Sequence, residues 1–157
     1  MLNAPYPITM TLPYPLSANR YWASRVIMVK GKPMPTVYVT SEAKTYKEDV
    51  AWRCKLAGIP RPLVGRVQVH IQLFPNRPAD WMKRARKDPE CWDDTVQCID
   101  LDNARKVLYD ALKGVAFDDD KWVRKDSAER MEPDEHGARV VVTITPLLVE
   151  RRQLSIA

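Results

Sequence analysis

The stretch Arg66–Phe74, "RVQVHIQLF", alternates polar and apolar residues without a break. Val67, Val69, Ile71 and Leu73 fall on one face, and Arg66, Gln68, His70 and Gln72 on the other. A period of two belongs to a strand, whose successive side chains point to opposite sides, and cannot line one stripe of a helix. The segment therefore predicts a half-buried strand, which needs partners beside it and a layer over its apolar face. On the polar face His70 reads as a surface residue rather than a ligand.

Other segments supply those partners. "YPITMTLP" alternates weakly and ends on prolines, which remove ladder donors, so it predicts a short strand near a sheet edge. "RVIMVKGKPMPTVYVT" predicts a hairpin with a loose turn around Gly31-Lys32. Further strands are expected from about Trp122 to Met131 and over "ARVVVTITP". Thr40 or Ser41 caps a helix from about Glu42 to Ala57, with Ala43, Tyr46, Val50, Cys54 and Ala57 as its apolar stripe; Gly58 and Pro60 stop it. A second helix follows Asp102 or Asn103, both good caps, and buries Ala104, Val107, Leu108, Ala111 and Leu112.

Two stretches lack periodicity. "PYPLSANRYW" carries two prolines and predicts irregular chain. Asn76–Gln97 predicts a long mobile loop with at most one helical turn, or an insertion; loops of that length are usually functional or disordered. The order of elements predicts one α/β (α+β) domain over residues 1–150, a mixed sheet with two main helices packed on it. Residues 151–157 are expected to form a C-terminal tail.

At 157 residues the chain can bury a sizeable core. No apolar run approaches the roughly 20 residues that span a bilayer, so no membrane partner is expected. Three cysteines, an odd number, fit reduced thiols, and with no signal-peptide pattern they predict a cytoplasmic protein. The net charge of +5 is unevenly spread. Arg20–Arg61 and Arg77–Lys87 are rich in Lys and Arg, whereas Asp88–Asp102 holds six acids and no base. Basic surface beside a concentrated acidic spot suits a nuclease, because cations hold phosphates while carboxylates hold a metal ion. A mixed-charge solvated surface is the plainer reading.

The acidic spot continues through "CIDLDNARKVLYDALKGVAFDDDKW". Asp100 and Asp102 lie two apart at the end of an extended segment, and Lys106 and Asp110 follow Asp102 at intervals of four along one helix face. Asp118, Asp119 and Asp120 come after the helix. Two readings are open at this point. The aspartates form a cap and a polar turn, or they converge on a divalent cation that prefers hard oxygen ligands.

"DLDNARKVLYDAL…DDDKWV" resembles the signature of RusA-type Holliday-junction resolvases, crossover-junction endodeoxyribonucleases of bacteria and their phages and prophages. "TLPYPLSANRYW" resembles the family's opening motif, and "VTSEAKTYKEDV" its strand-to-helix step, so the resemblance spans roughly residues 8–146. It implies that Asp100 and Asp102 are the first two metal-binding aspartates and Lys106 the essential lysine. Asp120 matches the third aspartate; Asp119 is the alternative, because Trp122 stands where the family usually has Gln. Alternation along a strand from Asp120 to Trp122 would turn Asp119 away from the site.

What the resemblance implies about activity is a Mg²⁺-dependent nuclease, with Mn²⁺ able to substitute, that cuts four-way DNA junctions as a homodimer. The ion would bind the scissile phosphate and lower the pKa of the attacking water, and Lys106 would offset transition-state charge. Asn19, Arg20, Lys83, Arg84, Arg86 and Lys87 are the expected DNA contacts. The segment Asn76–Gln97 is either a DNA-contacting lid or an insertion unrelated to catalysis. Tyr21 and Trp22 either stack on unpaired bases or pack in the core. The competing functions are a non-catalytic binder of branched or single-stranded DNA, and a nuclease for flaps and other branched DNA.

Overall fold

The computed structural model describes residues 6–149 of the chain; the expected tail lies outside the described residues. Four strands form the main sheet: β1 (Ile8–Pro13), β4 (Val67–Phe74), β5 (Val123–Arg130) and β6 (Arg139–Pro146), in the order β1-β6-β4-β5. A separate hairpin pairs β2 (Trp22–Val29) with β3 (Lys32–Val39). The helices are α1 (Ala18–Tyr21), α2 (Ser41–Leu56), α3 (Trp81–Lys87) and α4 (Leu101–Leu112). This is a single α+β domain with a mixed sheet.

The alternating segment is β4, at the centre of the fold. Val67, Val69, Ile71 and Leu73 are all fully buried, beside Val140, Val142 and Ile144 of β6. The stripes of α2 (Ala43, Tyr46, Val50, Cys54) and α4 (Ala104, Val107, Leu108, Ala111, Leu112) close over this face. The opposite face stays polar: His70 bonds Ser127 at 2.6 Å, and Thr9 bonds Thr143 at 2.9 Å. With helices on one side only, period-two burial persists along β4 and β6. β1 is an edge strand, as its prolines require.

β4 pairs with β6 antiparallel but with β5 in parallel. Two sequential parallel strands cannot be joined by a hairpin; the chain must cross back over the sheet before the second begins. α4 makes that return, so it runs opposite to β4 and β5.

Three local expectations are corrected. The hairpin turn is tight: only Lys30 and Gly31 lie between the strands, both at positive φ (49° and 75°), the two-residue geometry that matches strand twist. "PYPLSANRYW" contains one helical turn, α1, in which Tyr21 N–H and Arg20 N–H both donate to the Ser17 carbonyl at 3.0 Å. Asn76–Gln97 contains two helical pieces, α3 and a 3₁₀ turn over Trp92–Thr95, where at most one helical turn was expected. Its own aromatics supply a small core, with Trp81 and Trp92 ring centres 6.1 Å apart and Arg77 stacked 4.4 Å over Trp81. Trp92 is buried and donates to Glu132 at 2.7 Å. Arg77 and Trp81 are only four residues apart, but Trp92 joins them from a separate helical piece and Glu132 from beyond β5, so no continuous apolar stripe marks the group.

The turn into β6 is tied by charge. Arg139 donates to both carboxylate oxygens of Asp134, at 2.7 and 2.8 Å, and stacks over Phe74 at 3.9 Å. The Arg139 hydrogen bonds hold the Asp134 carboxyl down, from 3.8 to about 2. A carboxyl depressed on folding contributes stability above its unfolded value and loses it as pH falls through its folded value. Asp134→Asn should therefore lower unfolding stability by on the order of 1 kcal/mol at pH 6, with the difference shrinking towards pH 2. Urea unfolding of both proteins across that range measures it; a gap independent of pH would count against this account.

Candidate active site

The first turn of α4 carries the clearest chemistry. Asp100 occupies its N-cap in extended conformation (φ −65°, ψ 145°), and its carbonyl accepts from Ala104 N–H at 3.0 Å. Its carboxylate makes no capping hydrogen bond, although an aspartate there ordinarily accepts from a first-turn N–H. The helix thus begins earlier than expected, and Asp102 lies inside it rather than capping it. Asp102 Oδ2 stands 2.8 Å from Lys106 Nζ, the predicted pair one turn apart, with both side chains largely exposed (71% and 61%). The lysine's hydrogen bond and charge hold the Asp102 carboxyl below the usual carboxylate range.

Contacts from distant segments hold this turn in place. Tyr14, just past β1, accepts from Ile99 N–H at 2.9 Å and donates to Cys98 Sγ at 3.5 Å. Burial, then the Cys98 contact, pushes its hydroxyl up to about 12, so it remains a donor at neutral pH. Arg130, at the end of β5, donates to the carbonyls of Asp93 and Val96 at 2.8 and 2.7 Å. Further along α4, Tyr109 donates to Asp126 at 2.7 Å. Arg105 Nε lies 2.8 Å from the same carboxylate, a close ion contact without a well-directed hydrogen bond.

Asp110 leaves the group that the four-residue spacing suggested. It accepts from Tyr21 at 2.5 Å and lies 3.5 Å from Lys47, tying α4 to α1 and α2. Tyr21 is fully buried, so it packs in the core and offers no face to a base. Trp22 is half-buried against it, ring centres 4.5 Å apart.

A groove of about 770 Å³ opens along the chain leading into α4, lined by Ser17, Arg20, Asn76, Arg84, Thr95 and Ile99 among others. It brings together two of the predicted DNA contacts, Arg20 and Arg84. Arg20 pairs with Glu42; Arg84 pairs with Asp80 at 2.9 Å and reaches Thr95 at 3.5 Å. Asn19, Lys83, Arg86 and Lys87 are exposed but do not line the groove. Tyr14, Asn76 and Thr95 were missed by sequence reasoning, because only the fold brings these distant positions to one groove.

Asp118–Asp120 stand elsewhere. Lys113, directly after α4, meets Asp119 at 3.5 Å. Asp119 also caps a 3₁₀ turn over Asp120–Trp122, accepting from Lys121 N–H at 3.0 Å, and this bond leads in lowering its carboxyl pKa. β5 starts only at Val123, so strand alternation does not reach back to Asp120, contrary to expectation. Asp120 is exposed in the turn. The first two aspartates and these three flank a 12-residue helix, a separation of about 18 Å along its axis. Among the described residues no three His, Cys, Asp or Glu side chains gather closely enough to hold a metal ion. Asp100 and Asp102 therefore stand apart from Asp118–Asp120 among the described residues.

The profile described as endodeoxyribonuclease RusA matches residues 13–145. That span takes in the groove, α4, the 118–120 turn and nearly all of β6. No curated protein matches the sequence. The matched family comprises metal-dependent endodeoxyribonucleases of the Holliday-junction-resolvase type, which bind branched DNA. The cations at the groove and the exposed carboxylates of α4 agree with that chemistry, and the chain belongs to the RusA endodeoxyribonuclease family.

Proposed function

We propose that this protein resolves four-way DNA junctions by paired symmetric nicks, as a Mg²⁺-dependent homodimer acting in recombination and repair in the cytoplasm. The observation that carries the reading is the start of α4: Asp100, Asp102 and Lys106 stand together where a groove bearing Arg20 and Arg84 meets the helix. Asp100 is a cap residue whose carboxylate does not cap, which leaves its oxygens for another partner. Arg20 and Arg84 would hold phosphate oxygens along the groove, and Lys83, Arg86 and Lys87 would extend that track over α3. Lys106, one turn from Asp102, would oppose charge developing on the phosphate. Mg²⁺ suits hard carboxylate oxygens, and Mn²⁺ is expected to replace it. Two cuts related by the two-fold symmetry of a junction call for two equivalent subunits.

Purified protein with Mg²⁺ should cut a mobile four-way junction and leave a flap and a linear duplex largely intact. Excess EDTA should abolish cutting. Asp102→Asn should bind the junction normally and cut it at least a hundredfold more slowly (about 3 kcal/mol in the barrier). Binding without cutting by the wild type would make it a junction-binding protein, and preference for the flap would make it a flap nuclease.

Binding should depend on salt in proportion to the phosphates held. Arg20→Ala and Arg84→Ala should each weaken binding and flatten the log–log salt slope by about 1. Gel shifts across a salt series read both quantities; slopes equal to wild type would remove these residues from the interface.

Asp120→Asn should abolish cleavage, whereas Asp119→Asn should keep most of it, because asparagine can still cap the turn. Single-turnover rates of folded variants decide the ranking, and the opposite order would assign the role to Asp119.

A further inference from the structure

Among the described residues the strands of the β2–β3 hairpin pair with each other and with no other strand. Eight residues in each strand give the ribbon a length of about 25 Å. Its root ties it to the body of the fold. Trp22 and Val39 pack against the core, Thr40 N–H donates to the Tyr21 carbonyl at 3.0 Å, and the Thr40 hydroxyl donates to the Arg20 carbonyl at 2.7 Å. From Ser24 to Val37 no residue is buried. Val26, Met28 and Val37 are each about two-thirds exposed and share one face with Pro33 and Pro35. An apolar face of this kind on an uncovered ribbon is an interaction surface rather than ordinary solvated strand.

The ribbon's own chemistry selects the partner. From Trp22 to Val39 it carries Arg25, Lys30 and Lys32 and no acid, which suits a polyanion. Its β3 edge is closed to an added strand. The two-residue turn makes Val29 and Lys32 a hydrogen-bonded pair, and bonded and non-bonded pairs alternate from there. Pro33 and Pro35, opposite Met28 and Val26, therefore turn their ring nitrogens outward, where a further strand would need donors. Methionine and proline are among the side chains that wedge between base steps, and a two-stranded ribbon is narrow enough to enter a DNA groove.

We propose that the β2–β3 hairpin is a DNA wedge, whose apolar face seats against unstacked bases at a branch point while Arg25, Lys30 and Lys32 hold the flanking phosphates. This rests on the branched-DNA reading above and deepens it by naming the element that tells a branch from a duplex. In a continuous duplex the bases must first be unstacked to meet an apolar face, whereas a branch point interrupts the stack already. The ribbon is also continuous with the phosphate track: Arg20, which lines the groove, lies two residues before β2.

The test uses the full-length protein in EDTA, so that binding is read without cleavage, and a four-way junction carrying 2-aminopurine beside the branch point. Wild-type binding should raise the 2-aminopurine emission severalfold. Val26→Ser/Met28→Ser keeps every charge of the ribbon. It should lose most of that rise and bind the junction about tenfold more weakly, with its affinity for linear duplex unchanged. Lys30→Ala/Lys32→Ala should weaken binding to both DNAs and flatten the log–log salt slope by about 2. A wild-type emission rise and junction affinity in Val26→Ser/Met28→Ser would overturn the wedge and leave the nuclease reading standing. So would an equal loss of duplex and junction binding in that variant, or its change from dimer to monomer in sedimentation, which would make the face a contact between copies. Selective loss of branch binding by the variant, together with a wild type that cuts no four-way junction in Mg²⁺, would uphold the wedge and remove junction resolution as the function.

Discussion

The parallel pairing of β4 with β5 is the constraint on which the rest of this structure depends. A parallel neighbour obliges the chain to return across the sheet, and α4 is the return. Its apolar stripe must then face the sheet, which leaves Asp102 and Lys106 on the solvent side. Its N-terminus comes to lie near the C-terminal ends of the parallel strands, where open α/β sheets commonly place their ligands. Its C-terminus delivers Asp118–Asp120 to the other end of those strands. The location of the candidate site and the separation of the two acidic clusters share this single cause.

The contacts around α4 divide the labour between stability and chemistry. Its inward face is apolar and buried, and its flanks are tied by Tyr21 to Asp110 and by Arg105 and Tyr109 to Asp126. Each tie buries part of a tyrosine hydroxyl against a carboxylate, which desolvation and the neighbouring negative charge keep protonated. Rigidity is thus supplied by residues whose oxygens are already engaged. The first turn keeps exposed carboxylates, one of them held only by a flexible lysine. A ligand arriving there displaces a solvated ion pair of small worth rather than a buried one.

Much of this was legible in order along the chain. The alternation of Val67, Val69, Ile71 and Leu73 identified β4 and its buried face, and the stripe from Ala104 to Leu112 identified α4. The pair Asp102 and Lys106 followed from helical spacing, since residues four apart share a face whatever the helix packs against. The packing of segment 76–97 was not legible, because Arg77, Trp81 and Trp92 form a small cluster across two helical pieces and no continuous apolar stripe marks it. Tyr21 was ambiguous for a related reason: an aromatic at the end of an irregular segment has no inside or outside until its neighbours are placed. The alternation carried back to Asp120 failed because Asp119 caps a 3₁₀ turn, a local hydrogen bond that outweighs the strand pattern.

What the sequence by itself determined is therefore whatever depends on near neighbours: which segments are strands and helices, which faces are apolar, and which acids and bases travel together. Two separated motifs and the family profile over residues 13–145 add the kind of chemistry. What only the tertiary structure decided is which distant groups meet. Arg20 and Arg84 share a groove, Tyr14 clamps the approach to Asp100, and the two acidic clusters stand at opposite ends of one helix. The physical reason is that spacing along a chain fixes direction only within an element. Strand order, and parallel as against antiparallel pairing, are set by how whole apolar faces pack on one another.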